Sequence, residues 1–115
     1  MKVLFVCTGN AARGPMAAAI LRELAGDGSR HSARSAGIAP DAPRPLTTRE
    51  LAWADVVTVM EPEQLALIQR YWPDHASKVR VLGVPDDYDP GEPELREVLT
   101  PKIRALLDEL GASRP

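Results

Sequence analysis

One cysteine, two histidines, one phenylalanine, two tryptophans and two tyrosines are all that the 115 residues offer of those types. A lone cysteine cannot close an internal disulfide, so burial must hold the fold, and the chain suits a reducing cytoplasm. The histidines, His31 and His75, have no metal-ligand spacing and no Cys/His cluster around them, so no metal or cofactor is expected. No apolar stretch approaches the ~20 residues that a membrane helix needs. The opening "MKVLFVC" is too short an apolar run for a secretory signal. A net charge of −2 lacks the basic footprint of a nucleic-acid binder.

What is present reads as one α/β domain spanning residues 1–115. Hydrophobic residues make up 44% and charged residues 26%, an ordinary globular balance. The eleven prolines gather in two loops, "APDAPRPL" (39–46) and "VPDDYDPGEP" (84–93). "KVLFV" (2–6) is a continuous apolar run that suits a strand buried on both faces. Pro15 is expected to open a helix through "PMAAAILREL", closed by Gly26 and Gly28. A weaker strand, "RHSARSAG" (30–37), follows. Next come a short helix over 47–54 with Thr47 as its cap, and a strand over 55–60. Glu61-Pro62 starts a helix to Tyr71, and "KVRVL" (78–82) is a fourth strand. The last helical region, from "PELREVL", is expected to break or kink at Thr100-Pro101. Such alternation predicts a three-layer sandwich, with a four-stranded parallel sheet and helices on both faces. Ligands in such sheets sit beyond the carboxyl ends of the strands. Cys7, Ser35, Glu61 and Asp86 are expected there, facing one crevice.

An isolated cysteine is most often a buried, inert thiol. The neighbours of Cys7 argue otherwise. "VCTGNAARGP" (6–15) is a loop of small residues between a strand and a helix. Gly9 and Gly14 have the spacing of a nucleotide-binding loop, but Pro15 and Met16 replace its lysine and hydroxyl residue, which excludes that reading. Cys-x5-Arg is left. Thr8, Gly9, Asn10, Ala11, Ala12 and Gly14 let backbone N–H groups turn inward as an anion nest, reinforced by the helix N-terminus. Arg13 can present a planar fork to two phosphate oxygens. A thiolate is favoured in such surroundings. It can attack phosphorus while the same donors hold the equatorial oxygens.

Here the sequence resembles a family. "VLFVCTGNAARGPMAAAI", "SAGI" (35–38) and "WADVVTVME" (53–61) resemble the low-molecular-weight protein tyrosine phosphatases, as a short member. The resemblance implies a metal-independent phosphomonoester hydrolase, acting on protein phosphotyrosine through a phosphocysteine at Cys7. Arg13 would clamp the phosphate, and Asn10 with Ser35 would support the loop. The partner would be a phosphorylated protein or small phosphomonoester, with inorganic phosphate as product. The family's general acid is an aspartate in the loop after the fourth strand. Counting back from "ELREVL" selects Asp86, with Tyr88 as the aromatic beside the substrate. The Asp-Pro dipeptide selects Asp89 instead, and Asp87 is the third alternative. Phe5, Trp53, Tyr71 and Trp72 lie on strand or helix segments and are expected to pack.

Two departures bear on function. Gly14 stands where the family carries a hydroxyl that bonds the departing thiolate, so phosphocysteine breakdown is expected to be slow unless Thr8 or water substitutes. Ala12 stands where many members carry a second cysteine, so Cys7 has no disulfide to protect it from irreversible oxidation. Two other functions stay open on the same residues. One is a phosphate- or phosphopeptide-binding module with little turnover. The other is an arsenate reductase served by an external thiol.

Overall fold

The structure is a computed structural model and describes residues 1–9, 12–26 and 30–112. Strands β1 (Lys2–Cys7), β2 (Ser32–Gly37), β3 (Val56–Val59) and β4 (Val79–Val81) alternate with helices α1 (Arg13–Ala25), α2 (Thr48–Trp53), α3 (Pro62–Tyr71) and α4 (Pro93–Ala112). A short 3-10 turn, Pro73–Lys78, joins α3 to β4. The sheet is fully parallel in the order β2-β1-β3-β4. Val3, Phe5 and Cys7 face one apolar cluster with Leu95, Leu99 and Ile103 of α4. Leu4 and Val6 face the other, with Leu51 of α2 and Ile68 of α3. Both faces are therefore covered, as the three-layer reading expects. The chain leaves β1 for β2 on one side, then crosses back to β3 on the other. That reversal opens a crevice between β1 and β3, at the end where Cys7 lies.

Several elements differ from their sequence readings. Helix α1 begins at Arg13, and Met16 N bonds Ala12 O at 3.2 Å. Pro15 is thus the third helical residue and does not open the helix. Its missing N–H is harmless there too, because no N–H of the first turn has an intrahelical partner. The consequence is that Arg13 is carried by a helix and not by a loop. At the other end, Gly26 closes α1 with φ of 78° and an N–H bond to Arg22 O at 3.0 Å. Gly28 lies outside the described residues. Strand β2 runs to Gly37, so Ser35 sits inside the strand and not after it.

Helix α4 continues through Pro101 without the expected break. An interior proline costs about 3 kcal/mol. Against this, Leu95, Leu99, Ile103, Leu106 and Leu110 are all buried along one side of the helix. Each buried side chain of that size contributes roughly 1.5–3 kcal/mol, so continuity wins. The Thr100 hydroxyl donates to Arg96 O at 2.7 Å, one residue before the Glu97 carbonyl that Pro101 deprives of its helical donor. Helix α2 is capped as its sequence predicts, with Glu50 N donating to Thr47 Oγ1 at 3.3 Å. Phe5 is fully buried, and Trp53 and Trp72 pack against the α2/α3 cluster. Tyr71 does not pack inside; it is 60% exposed and edge-on to Trp72.

Candidate active site

Cys7 is the last residue of β1 and is 2% exposed. Its carbonyl accepts Ile38 N at 2.9 Å, and Thr8 O accepts Ala39 N at 2.9 Å. The backbone on both sides of the thiol is thereby tied to the segment leaving β2. Gly9, Ala12 and Gly14 belong to the connection and the head of α1, whereas Asn10 and Ala11 lie outside the described residues.

Arg13 closes the connection, and it too is only 2% exposed. A buried guanidinium is costly unless its donors are used. Arg13 Nη1 donates to Glu61 Oε1 at 2.5 Å and to Val84 O at 2.8 Å. Nη2 lies 3.7 Å from Asp86 Oδ1. Three segments therefore meet at one side chain: the head of α1, the junction of β3 with α3, and the loop after β4. That loop is held in place by Leu82 N to Val59 O at 2.9 Å. Gly83 N and Val84 N both reach Met60 O, at 3.1 and 2.8 Å. Two successive amides converge on one carbonyl because Gly83 adopts φ of 78°, which side chains rarely tolerate.

The three candidate acids are placed differently. Asp86 is the one brought within 4 Å of Arg13, and its side chain is 65% exposed. Asp87 is exposed. Asp89 forms the turn into α4, where its N–H meets Glu92 Oε2 at 2.9 Å and its carbonyl accepts Glu92 N at 3.1 Å. Tyr88 is half-buried and packs against the α1/α4 cluster, as do Ala12 and Met16. Ser35 pairs in register with Phe5, one pleat back from the Cys7–Gly37 pair and on the same face of the sheet.

Two side chains make contacts here that the sequence reading did not assign, although it expected Glu61 at the crevice. Glu61 is placed at the crevice by its position after β3, but nothing local shows that it reaches Arg13. Gln64 is 4% exposed, and its Oε1 accepts Met60 N at 2.8 Å and Glu61 N at 3.0 Å. Its Nε2 donates to Thr8 Oγ1 at 3.3 Å. The available signal was the Glu61…Gln64 spacing, three residues apart behind a strand, as in a capping box.

A strand ending in cysteine, a small-residue loop and an arginine heading the next helix, set on a parallel sheet, define the architecture of the cysteine-dependent phosphatases. The family model for "Low molecular weight phosphotyrosine protein phosphatase" matches residues 2–45. No curated protein matches the chain by sequence. Among solved structures, a YwlE mutant from Bacillus subtilis is 26% identical, with 96% of this chain and 99% of that one covered at a TM-score of 0.82. A low molecular weight protein tyrosine phosphatase from Bacillus subtilis is 27% identical, with both chains covered over 100% and a TM-score of 0.81. A YwlE arginine phosphatase is 26% identical, covering 99% of this chain and 98% of that one at a TM-score of 0.83. That protein is a Cys-to-Ser mutant with a phosphorylated active-site serine. The present chain thus has the fold of the low molecular weight phosphatases and their signature in its first strand, helix and second strand. No helix among the described residues is long and apolar enough to cross a membrane.

Proposed function

We propose that residues 1–115 act as one unit, a cytoplasmic phosphatase that hydrolyses phosphomonoesters, protein phosphotyrosine foremost, through a phosphocysteine at Cys7. The observation that carries this reading is the placement of Arg13. Its Nη1 hydrogens are spent on Glu61 and Val84, and its Nη2 has the exposed Asp86 carboxylate at 3.7 Å, so the Nε/Nη2 edge is the one that an anion would share with Asp86. Residues 7–14 form the phosphate-binding loop. The Cys7 thiolate attacks phosphorus, the P–O ester bond breaks, and Asp86 gives its proton to the departing oxygen. Water then attacks the phosphocysteine while Asp86 takes a proton from it; the P–S bond breaks, the Cys7 thiolate is restored and inorganic phosphate leaves. Ser35 and Asn10 support the loop, and Tyr88 borders the substrate. No metal, cofactor or nucleic acid takes part.

Four measurements test this. Hydrolysis of p-nitrophenyl phosphate should persist in EDTA, and acid quenching should trap one phosphoryl group on the Cys7 peptide. A burst should precede a slower steady state, because Gly14 offers the departing thiolate no hydroxyl. Gly14→Ser should speed breakdown roughly ten- to a hundredfold, the value of one hydrogen bond to a charged group. Unmodified Cys7 during turnover would sink the mechanism, whereas phosphate binding without turnover would favour the binding module.

The acid is tested by leaving groups. Asp86→Asn should slow phenyl phosphate about a hundredfold and p-nitrophenyl phosphate far less, since only the poorer leaving group needs the proton. Asp87→Asn and Asp89→Asn should leave that ratio alone. If all three variants keep it, the acid is elsewhere.

A further inference from the structure

Thr58 lies in the middle of β3 and is fully buried, on the same face of the sheet as Phe5, its register partner on β1. Its Oγ1 meets no hydrogen-bond partner among the described residues. A buried hydroxyl left unpaired lowers stability, and a valine would fill the same space without that penalty. The residues on either side, Val57 and Val59, are valines. Packing therefore does not account for the oxygen.

Thr58 forms part of the wall of a cavity of about 240 Å³ between β4 and the second half of α4. None of the residues assigned to the candidate active site lines it. Drug-sized sites span roughly 300–1,000 Å³, so this one suits a smaller molecule. Its walls divide by chemistry. Leu82, Ala105 and Leu106 supply apolar surface. Arg80, beside Thr58 in register on β4, pairs with Glu109 at the exposed side. Lys102 spends one of its three ammonium hydrogens on Leu82 O at 3.1 Å. It pairs with no carboxylate among the described residues. Two cations against one carboxylate leave the lining with a net charge of +1, which favours an anion. The Arg80–Glu109 pair is half exposed at both ends, and such a pair yields readily to a ligand that must reach Thr58.

We propose that this cavity is a second ligand site, for a small hydroxylated monocarboxylate. The carboxylate sits on Lys102, the apolar body lies against Leu82, Ala105 and Leu106, and the hydroxyl pairs with Thr58 Oγ1, which can both donate and accept. Binding is noncovalent and does not depend on the phosphatase reading. Leu82 also begins the segment that is anchored to Val59 and Met60 and carries Val84 and Asp86 to Arg13, so occupancy should be sensed along it.

The test titrates the full chain with 4-hydroxybenzoate in excess inorganic phosphate and follows the amide NMR signals. Leu82, Gly83, Ala105 and Leu106 should shift. 4-Methylbenzoate has the same shape without the hydroxyl and should bind about tenfold more weakly, the worth of one hydrogen bond. Thr58→Val should fold at least as stably as wild type in thermal unfolding and should bring both probes to the weaker affinity. Lys102→Met should weaken both about tenfold, through loss of a charged donor. If that variant does not fold, Lys102→Gln replaces it, keeping an N–H for Leu82 O without the charge. Equal affinities for the two probes in wild type, or no shift at these residues up to millimolar probe, would overturn the proposal. So would shifts confined to residues 7–14, which would place the carboxylate in the anion loop. Absence of turnover would sink the phosphatase reading alone, because the shifts are mapped by residue and not by activity.

Discussion

Cys7→Ser is expected to reduce steady-state release of p-nitrophenol roughly 10⁴-fold or more, with the fold intact. The substitution is nearly isosteric at a site only 2% exposed, so packing around Phe5 and Ala17 changes little. The chemistry changes far more. A serine hydroxyl is not ionised at neutral pH and needs a neighbouring base to become a nucleophile. Neither histidine can serve. His31 precedes β2, beside the Met1 amino group, and His75 precedes β4. Both therefore sit at amino ends of strands, across the sheet from Cys7. Inorganic phosphate should still bind the variant, since the loop amides and Arg13 are untouched. The two readouts together separate loss of the nucleophile from loss of the site. Residual turnover above about one part in a hundred would mean that the nucleophile is another group.

How far the sequence could be read follows from the range of the interactions. Cys7 and Arg13 are six residues apart, and strand, loop and helix follow from the apolar run, the small residues and Pro15. Thr47 capping α2 is equally local. Contacts made to Arg13 are not. Glu61 lies 48 residues away and Val84 lies 71 away. They meet because β3 lies beside β1 and β4 beside β3, an order that alternation of elements does not reveal. The misreadings at Pro15 and Pro101 share one cause. Proline's local rule is a cost of a few kcal/mol, which vanishes in a first turn and is outweighed where a long apolar seam is buried. Gln64 was hidden for the opposite reason: a polar residue in a helix reads as solvent-facing until its three partners are placed around it.

Arg13→Lys is expected to lower kcat/KM about 10³- to 10⁵-fold, the range over which an arginine stabilises a transferring phosphoryl group. The charge is kept, so the loss measures geometry. Lysine carries three donors on one point-like ammonium and has no second edge. Placed in this pocket, the ammonium meets Glu61 and Val84 O first, because both acceptors are fixed by the β3–α3 junction and the anchored loop after β4. Those two contacts satisfy the buried charge and hold it away from the loop. Stability should therefore change by no more than about 1–2 kcal/mol, the scale of the hydrogen bonds exchanged, while catalysis collapses. Double substitution gives the sharper comparison. If Glu61 serves to aim Arg13, then Glu61→Ser should cost much less in the Arg13→Lys background than in wild type, since there is no fork left to aim. Equal losses in both backgrounds would mean that the two residues act independently.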